Sequence, residues 1–155
     1  MTLSCRLEAR PDGRDVEFVA YTYPPSDVFA ALPMAPGAVL YESEAPTVLH
    51  VAPGRWFAPA ASAATRSLLL ACVAHGALVE VEGKRSRLDL CGPGATAVLC
   101  AAIDILAVLE GRGCAAVVLF DCPCWVARLA DGYALWTHAS YRPHLWAELH
   151  RLTAA

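Results

Sequence analysis

The sequence predicts an α+β domain in which a mainly antiparallel sheet carries helices on one face. Short runs alternate with period two, as where Val79, Val81, Leu88 and Leu90 interleave with Glu80, Glu82, Arg85 and Arg87. Strand-like and helix-like runs are also mixed along the chain in the order strand, helix, hairpin, helix, strands, helix. Turn residues punctuate them at Pro53–Gly54, Gly83–Lys84 and Asp131–Gly132. The 155 residues suit a single domain, with irregular strands and a proline-rich wrap over 1–46 and an α+β core over 47–152.

Leu3 to Leu7 and Val16 to Tyr23 read as strands around the turn-like Pro11 to Arg14, an edge hairpin. Pro24, Pro25, Pro33, Pro36 and Pro46 break the next stretch, leaving a turn or two of helix at Ser26 to Leu32. Thr47 to Val51 and Arg55 to Ala58 form strands around a Pro-Gly turn, with Trp56 as anchor. Ala60 to His75 is helix-forming and apolar on all sides, which predicts cover on more than one face, with Gly76 as its C-cap. Leu78 to Leu90 then reads as a hairpin turning at Gly83 and Lys84, with Glu82 opposite Arg85 and Glu80 opposite Arg87 on one charged face. A helix begins near Pro93, where proline is accepted, and breaks at Asp104, which caps a further turn. Strands at Cys114 to Phe120, Trp125 to Leu129 and Tyr133 to His138 precede a last helix, Tyr141 to Leu152, striped by Leu145, Leu149 and Leu152 with Trp146 beside it. The order suits split βαβ elements of the ferredoxin-like kind.

Composition narrows the function classes. The chain is 57% hydrophobic and 17% charged, which leaves apolar surface available for a partner. A net charge of −3, with no basic run beyond Lys84 to Arg87, gives no electrostatic footprint for nucleic acid. No apolar run approaches the roughly 18 residues of a membrane span, and the N-terminal residues carry no apolar signal segment, so a cytoplasmic protein is expected. The seven cysteines are irregularly spaced and read as small buried hydrophobes without disulfides.

The candidate chemistry is thin. Cys122 and Cys124 form a C-x-C with no second pair, short of a structural zinc pattern, and read as a tight turn between strands. His50, His75, His138, His144 and His150 are scattered; His144 and His150 are six apart, on nearly opposite helix faces. Gly92, Pro93 and Gly94 open a helix after a strand, but the phosphate-binding glycine spacing is not met. No catalytic, cofactor-binding or metal-ligating set is therefore assigned.

Several short motifs in order resemble the gamma subunit of heterotetrameric sarcosine oxidase. Ala52, Pro53, Gly54, Arg55 and Trp56 stand at that family's strand-turn-strand. Glu80, Val81, Glu82, Arg85, Leu88, Leu90, Gly92 and Pro93 follow its next frame. Asp104 and Ile105, Gly113 and Cys114, and Ser140, Tyr141, Leu145, Trp146 and Leu149 answer to its later motifs, over residues 28 to 152 in all. Glu82 and Ala139 depart from its usual serine and arginine.

The resemblance implies a fold like the folate-binding domain of aminomethyltransferases, in a subunit that binds no cofactor. FAD, FMN, NAD and tetrahydrofolate would belong to the alpha and beta flavoprotein subunits, the expected partners, which oxidatively demethylate sarcosine to glycine and pass the one-carbon unit to tetrahydrofolate. The residues expected to dock are Glu80, Glu82, Arg85, Arg87, Tyr141 and Trp146. The competing expectation is a stand-alone folate-binding or one-carbon protein of the same fold.

Overall fold

The computed structural model describes residues 4–11, 13–22 and 29–154. The strands among the described residues are β1 (Arg6–Ala9), β2 (Val16–Ala20), β3 (Val39–Glu42), β4 (Ala45–Ala52), β5 (Arg55–Ala58), β6 (Gly76–Glu80), β7 (Arg85–Cys91), β8 (Cys114–Leu119), β9 (Cys122–Leu129) and β10 (Gly132–His138). The helices are α1 (Ala63–Leu70), α2 (Ala95–Cys100), α3 (Ile105–Val108) and α4 (Arg142–Thr153). The strands form two five-stranded sheets, and every pairing is antiparallel. The N-terminal sheet runs β3-β4-β5-β2-β6 and the C-terminal sheet β8-β9-β10-β7-β1.

The α+β class and the helices on one face hold for each sheet. Strand alternation gives every sheet two apolar faces, and both are used. The inner faces meet through Leu49, Phe57, Val81, Cys114, Ala127, Ala134 and Trp136. Beneath α2, α3 and α4, the outer face of the C-terminal sheet buries Leu88, Leu90, Tyr133 and Leu135 with Val98, Leu99, Leu145 and Leu149. Under α1 and the Phe29 to Met34 segment, the outer face of the N-terminal sheet buries Val16, Phe18 and Trp56 with Phe29 and Leu69. The expected anchor, Trp56, is almost fully buried and donates its indole N–H to the Pro33 carbonyl at 2.9 Å.

Both expected hairpins are corrected. β1 and β2 lie in different sheets, β1 on β7 and β2 between β5 and β6. β6 and β7 likewise do not pair: β6 takes β2, and β7 is filled on both sides by β10 and β1. The turn at Gly83, with φ +71°, carries the chain from one sheet to the other. Val81 is its pivot, buried between the sheets, with its N–H on the Asp15 carbonyl and its own carbonyl taking the Lys84 N–H. The local register is sterically sound, but β7 gains partners on both sides from farther along the chain, and β6 takes β2 in place of β7 and stays a sheet edge.

Smaller differences have local causes. The Ala60 to His75 run forms only α1, capped by the Ser62 hydroxyl on the Thr65 N–H, and then a 3-10 turn; Gly76 does cap that turn, its N–H on the Val73 carbonyl, but in an extended conformation, φ −171°, that also begins β6. That segment is covered on one side only, since Leu70 and Val73 are about half exposed. Asp104 does break the second helix, its carboxylate accepting the Ala107 N–H. Cys122, Pro123 and Cys124 lie in β9; the turn is the preceding pair Phe120 and Asp121, both with positive φ. Of the helix expected at Ser26 to Leu32, residues 26–28 lie outside the described residues, and the rest is turn.

Candidate functional site

Polar side chains concentrate along one side of the layer between the sheets. Glu17 is in β2 opposite Phe57, so it points at the other sheet, and it is 5% exposed. Arg55 reaches its Oε2 from Nε at 3.0 Å, and Arg85 reaches Oε1 from Nη2 at 3.0 Å. Asp89 is in β7 opposite Ala134 and is 1% exposed. Arg87 Nε donates to its Oδ1 and Arg10 Nε to its Oδ2, each at 2.7 Å. The Arg85 guanidinium lies 3.5 Å from the centre of the Trp125 ring, and that of Arg87 5.2 Å from Trp136. Each buried carboxylate is thus clamped by two arginines, of which both at Glu17 and one at Asp89 pack on tryptophan.

This belt ties strands within the C-terminal sheet at Asp89 and ties the two sheets to each other at Glu17. A buried carboxylate must be paired and hydrogen-bonded to be tolerated, and both are. The hydrogen bond to Asp89 holds the Arg10 guanidinium above its ordinary value. Glu17 also bridges the sheets, since Arg55 and Arg85 come one from each.

The thiols are equally occupied. Burial pushes Cys114 up to about 11 and Cys124 up to about 12, so both stay protonated at neutral pH and neither is an activated nucleophile. Cys124 donates to the Cys122 carbonyl at 3.3 Å. Among the described residues no three or more His, Cys, Asp or Glu side chains converge as a metal site. His50 stacks on Trp56 with ring centres 4.8 Å apart and bonds the Ala35 carbonyl through Nδ1; its buried Nε2 meets no partner among the described residues.

The six expected docking residues do not form one surface. Glu80 is exposed on β6 and pairs with Arg66 of α1, while Glu82 is exposed in the turn. Arg85 and Arg87 face inward and belong to the belt, so the expected Glu80–Arg87 and Glu82–Arg85 cross-strand pairs do not exist. Tyr141 is exposed at the start of α4, and Trp146 packs partly buried against the C-terminal sheet's outer core. Trp146 also lines a shallow groove of about 520 Å³ with Ala9, Ser86, Ala139, Arg142 and Pro143. Glu17, Asp89, Arg10, Arg55 and Trp125 were missed. At Glu17 the available signal was a lone carboxylate in an otherwise apolar strand, and at Asp89 it was Arg87, two residues before it in the same strand; the other partners lie 38 and 68 residues from Glu17 and 79 from Asp89, beyond local reading.

The architecture and the belt define a class: a two-sheet α+β protein whose buried polar groups are committed to holding its layers. No protein-family model matches the sequence, and no curated protein matches it. Among solved structures, a chain of heterotetrameric sarcosine oxidase from Corynebacterium sp. U-96, in complex with pyrrole 2-carboxylate, has this fold. It aligns with TM-score 0.72 at 22% identity over 97% of this chain and 86% of that one. The regulatory subunit of aspartate kinase from Thermus thermophilus aligns with TM-score 0.49 at 10% identity, over 95% and 97% of the two chains.

Proposed function

We propose that this chain is a non-catalytic, gamma-type subunit of a sarcosine oxidase-like flavoenzyme complex, in which it stabilises the large flavoprotein subunit. The observation that carries the reading is the agreement in fold over nearly the whole chain with a chain of heterotetrameric sarcosine oxidase. The ordered motifs from Ala52 to Leu149 support it independently. In this reading FAD, FMN, NAD and tetrahydrofolate stay with the alpha and beta subunits, and the complex works in the cytoplasm, converting sarcosine to glycine. The polar groups of this chain serve its own architecture, and its exposed Tyr141, Glu80 and Glu82, with the partly buried Trp146, serve assembly. The test is to recover the tagged chain from its native host and record the absorbance of the eluate. Co-eluting large subunits with a flavin spectrum are expected; a colourless lone protein would contradict the reading and favour the stand-alone folate-binding alternative.

A further inference from the structure

Among the described residues four strands form sheet edges, and three of them are blunted. β1 carries Arg6 and Glu8, which pair with each other; β3 has a register shift at Leu40/Tyr41 and ends in Glu42; β6 ends in Glu80, paired with Arg66. Charge and irregularity at edges are how sheets avoid adding strands. β8 has neither device. Its residues, Cys114 to Leu119, include no charge and no proline, and they keep unbroken register with β9 over six pairs.

The register says which groups β8 presents outward. The two-residue turn at Phe120 and Asp121 makes Leu119 and Cys122 its closing hydrogen-bonded pair, so by alternation Val117 and Ala115 bond β9 while Ala116 and Val118 turn their N–H and C=O away. The Arg128 N–H on the Gly113 carbonyl fits that alternation, and so does the outward Cys114 N–H on the Gly37 carbonyl. Both Ala116 and Val118 are exposed, Val118 at 59%.

Two grooves meet at Ala116. One of about 620 Å³ runs past Pro36, Val51, Ala107, Arg112 and Cys114; the other, about 500 Å³, runs past Val118, Trp125, Arg55 and Arg85. At the second, two guanidiniums share the single carboxylate of Glu17, leaving one positive charge, and Arg55 is 44% exposed.

We propose that β8 is the site where an extended segment of the flavoprotein partner adds as a sixth strand to the C-terminal sheet. An added strand pairs a row of outward N–H and C=O groups that water otherwise meets. The side chains it turns toward the grooves are apolar, with a carboxylate reaching Arg55 at the Val118 end. A second copy of this chain fits less well, because its own β8 brings no carboxylate within the strand. The assignment rests on the proposed function.

Two variants test it. Val118→Pro removes an outward donor and leaves the β8–β9 ladder intact, and Val118→Lys adds the charge other edges use. Each is recovered tagged from the native host beside the unaltered chain, with flavin absorbance per chain, thermal midpoint, and sedimentation of the isolated chain as readouts. The expected result is an unchanged fold with flavin recovery down about tenfold. Unchanged recovery with both folded variants overturns the β8 assignment and leaves the subunit reading standing, whereas no flavoprotein with the unaltered chain overturns both. A dimer of the isolated chain that Val118→Pro dissociates would give the edge to a second copy and overturn the assignment as well.

Discussion

The N-terminal and C-terminal sheets lay out the same five positions with different residues. In each, three consecutive strands form a meander, a preceding strand lies beside the third, and a fifth strand closes the edge: β3-β4-β5-β2-β6 in one and β8-β9-β10-β7-β1 in the other. A helix follows the meander in both, α1 after β5 and α4 after β10. Each first meander turn has two residues with positive φ, Ser43 and Glu44 or Phe120 and Asp121. Each strand beside the meander, β2 or β7, carries the buried carboxylate that two arginines clamp.

The differences show what the shared plan requires. The N-terminal sheet takes its fifth strand from the chain just after α1, but the C-terminal sheet takes it from the opposite end, where β1 pairs with β7. That sheet is completed only when the N-terminal strand returns, a non-local step that is slow by its nature. Between β7 and β8 the chain forms α2 and α3, whereas before β3 Pro33 and Pro36 restrict it to turns that still bury Phe29 and Leu32. Apolar cover on the outer face is required; a helix is one way to supply it.

The clamped carboxylates probe the comparison hardest. Glu17→Gln and Asp89→Asn should each lose about 1–3 kcal/mol in urea unfolding, as the partner guanidiniums lose a charged acceptor. Similar losses would make the clamps equivalent; a neutral change at either would break the parallel.

The thiols come next. Cys114 and Cys124 both sit in the C-terminal sheet with values raised from 9.0 to about 11 and about 12. Below pH 9 both the folded and unfolded forms keep the proton, so stability does not depend on these groups. Above it the unfolded chain ionises first, and stability falls as pH climbs toward 11 for Cys114 and 12 for Cys124, by up to about 1.4 kcal/mol per unit and thiol. Urea unfolding at pH 8 and 10 should show the fall, and Cys114→Ala should flatten part of it.

The smallest expected effect separates the turns. Ser43→Asn with Glu44→Gly should stabilise by about 0.5 kcal/mol, because those residues suit positive φ. The same pair at Phe120 and Asp121 should lose that gain, because Phe120 also packs against the core under α2 and α4. Thermal midpoints of the two double variants decide it.

These contrasts explain what the sequence revealed. β4, β5, β8 and β10 were legible because alternation and Pro-Gly or Asp-Gly turns are local, and Asp104 was legible as a cap for the same reason. Which sheet a strand joins is not local. Glu80, Glu82, Arg85 and Arg87 are as consistent with a hairpin as with their actual partners, and only the burial of Glu17 and Asp89 decides between them. The repeated plan escaped notice because it lies in the order of strands rather than in matching residues. Three of the four clamp contacts were hidden by the same long separations, and Arg87–Asp89, only two residues apart, was hidden by the assignment of Arg87 to the hairpin.

The most direct test of the claim that this chain is a scaffold without a ligand site of its own is a tetrahydrofolate titration of the isolated protein, followed by tryptophan fluorescence. Trp125 is partly exposed between Arg85 and the open groove, so binding there would register. A scaffold without a ligand site shows no saturable change; a saturable response at one equivalent would contradict that claim.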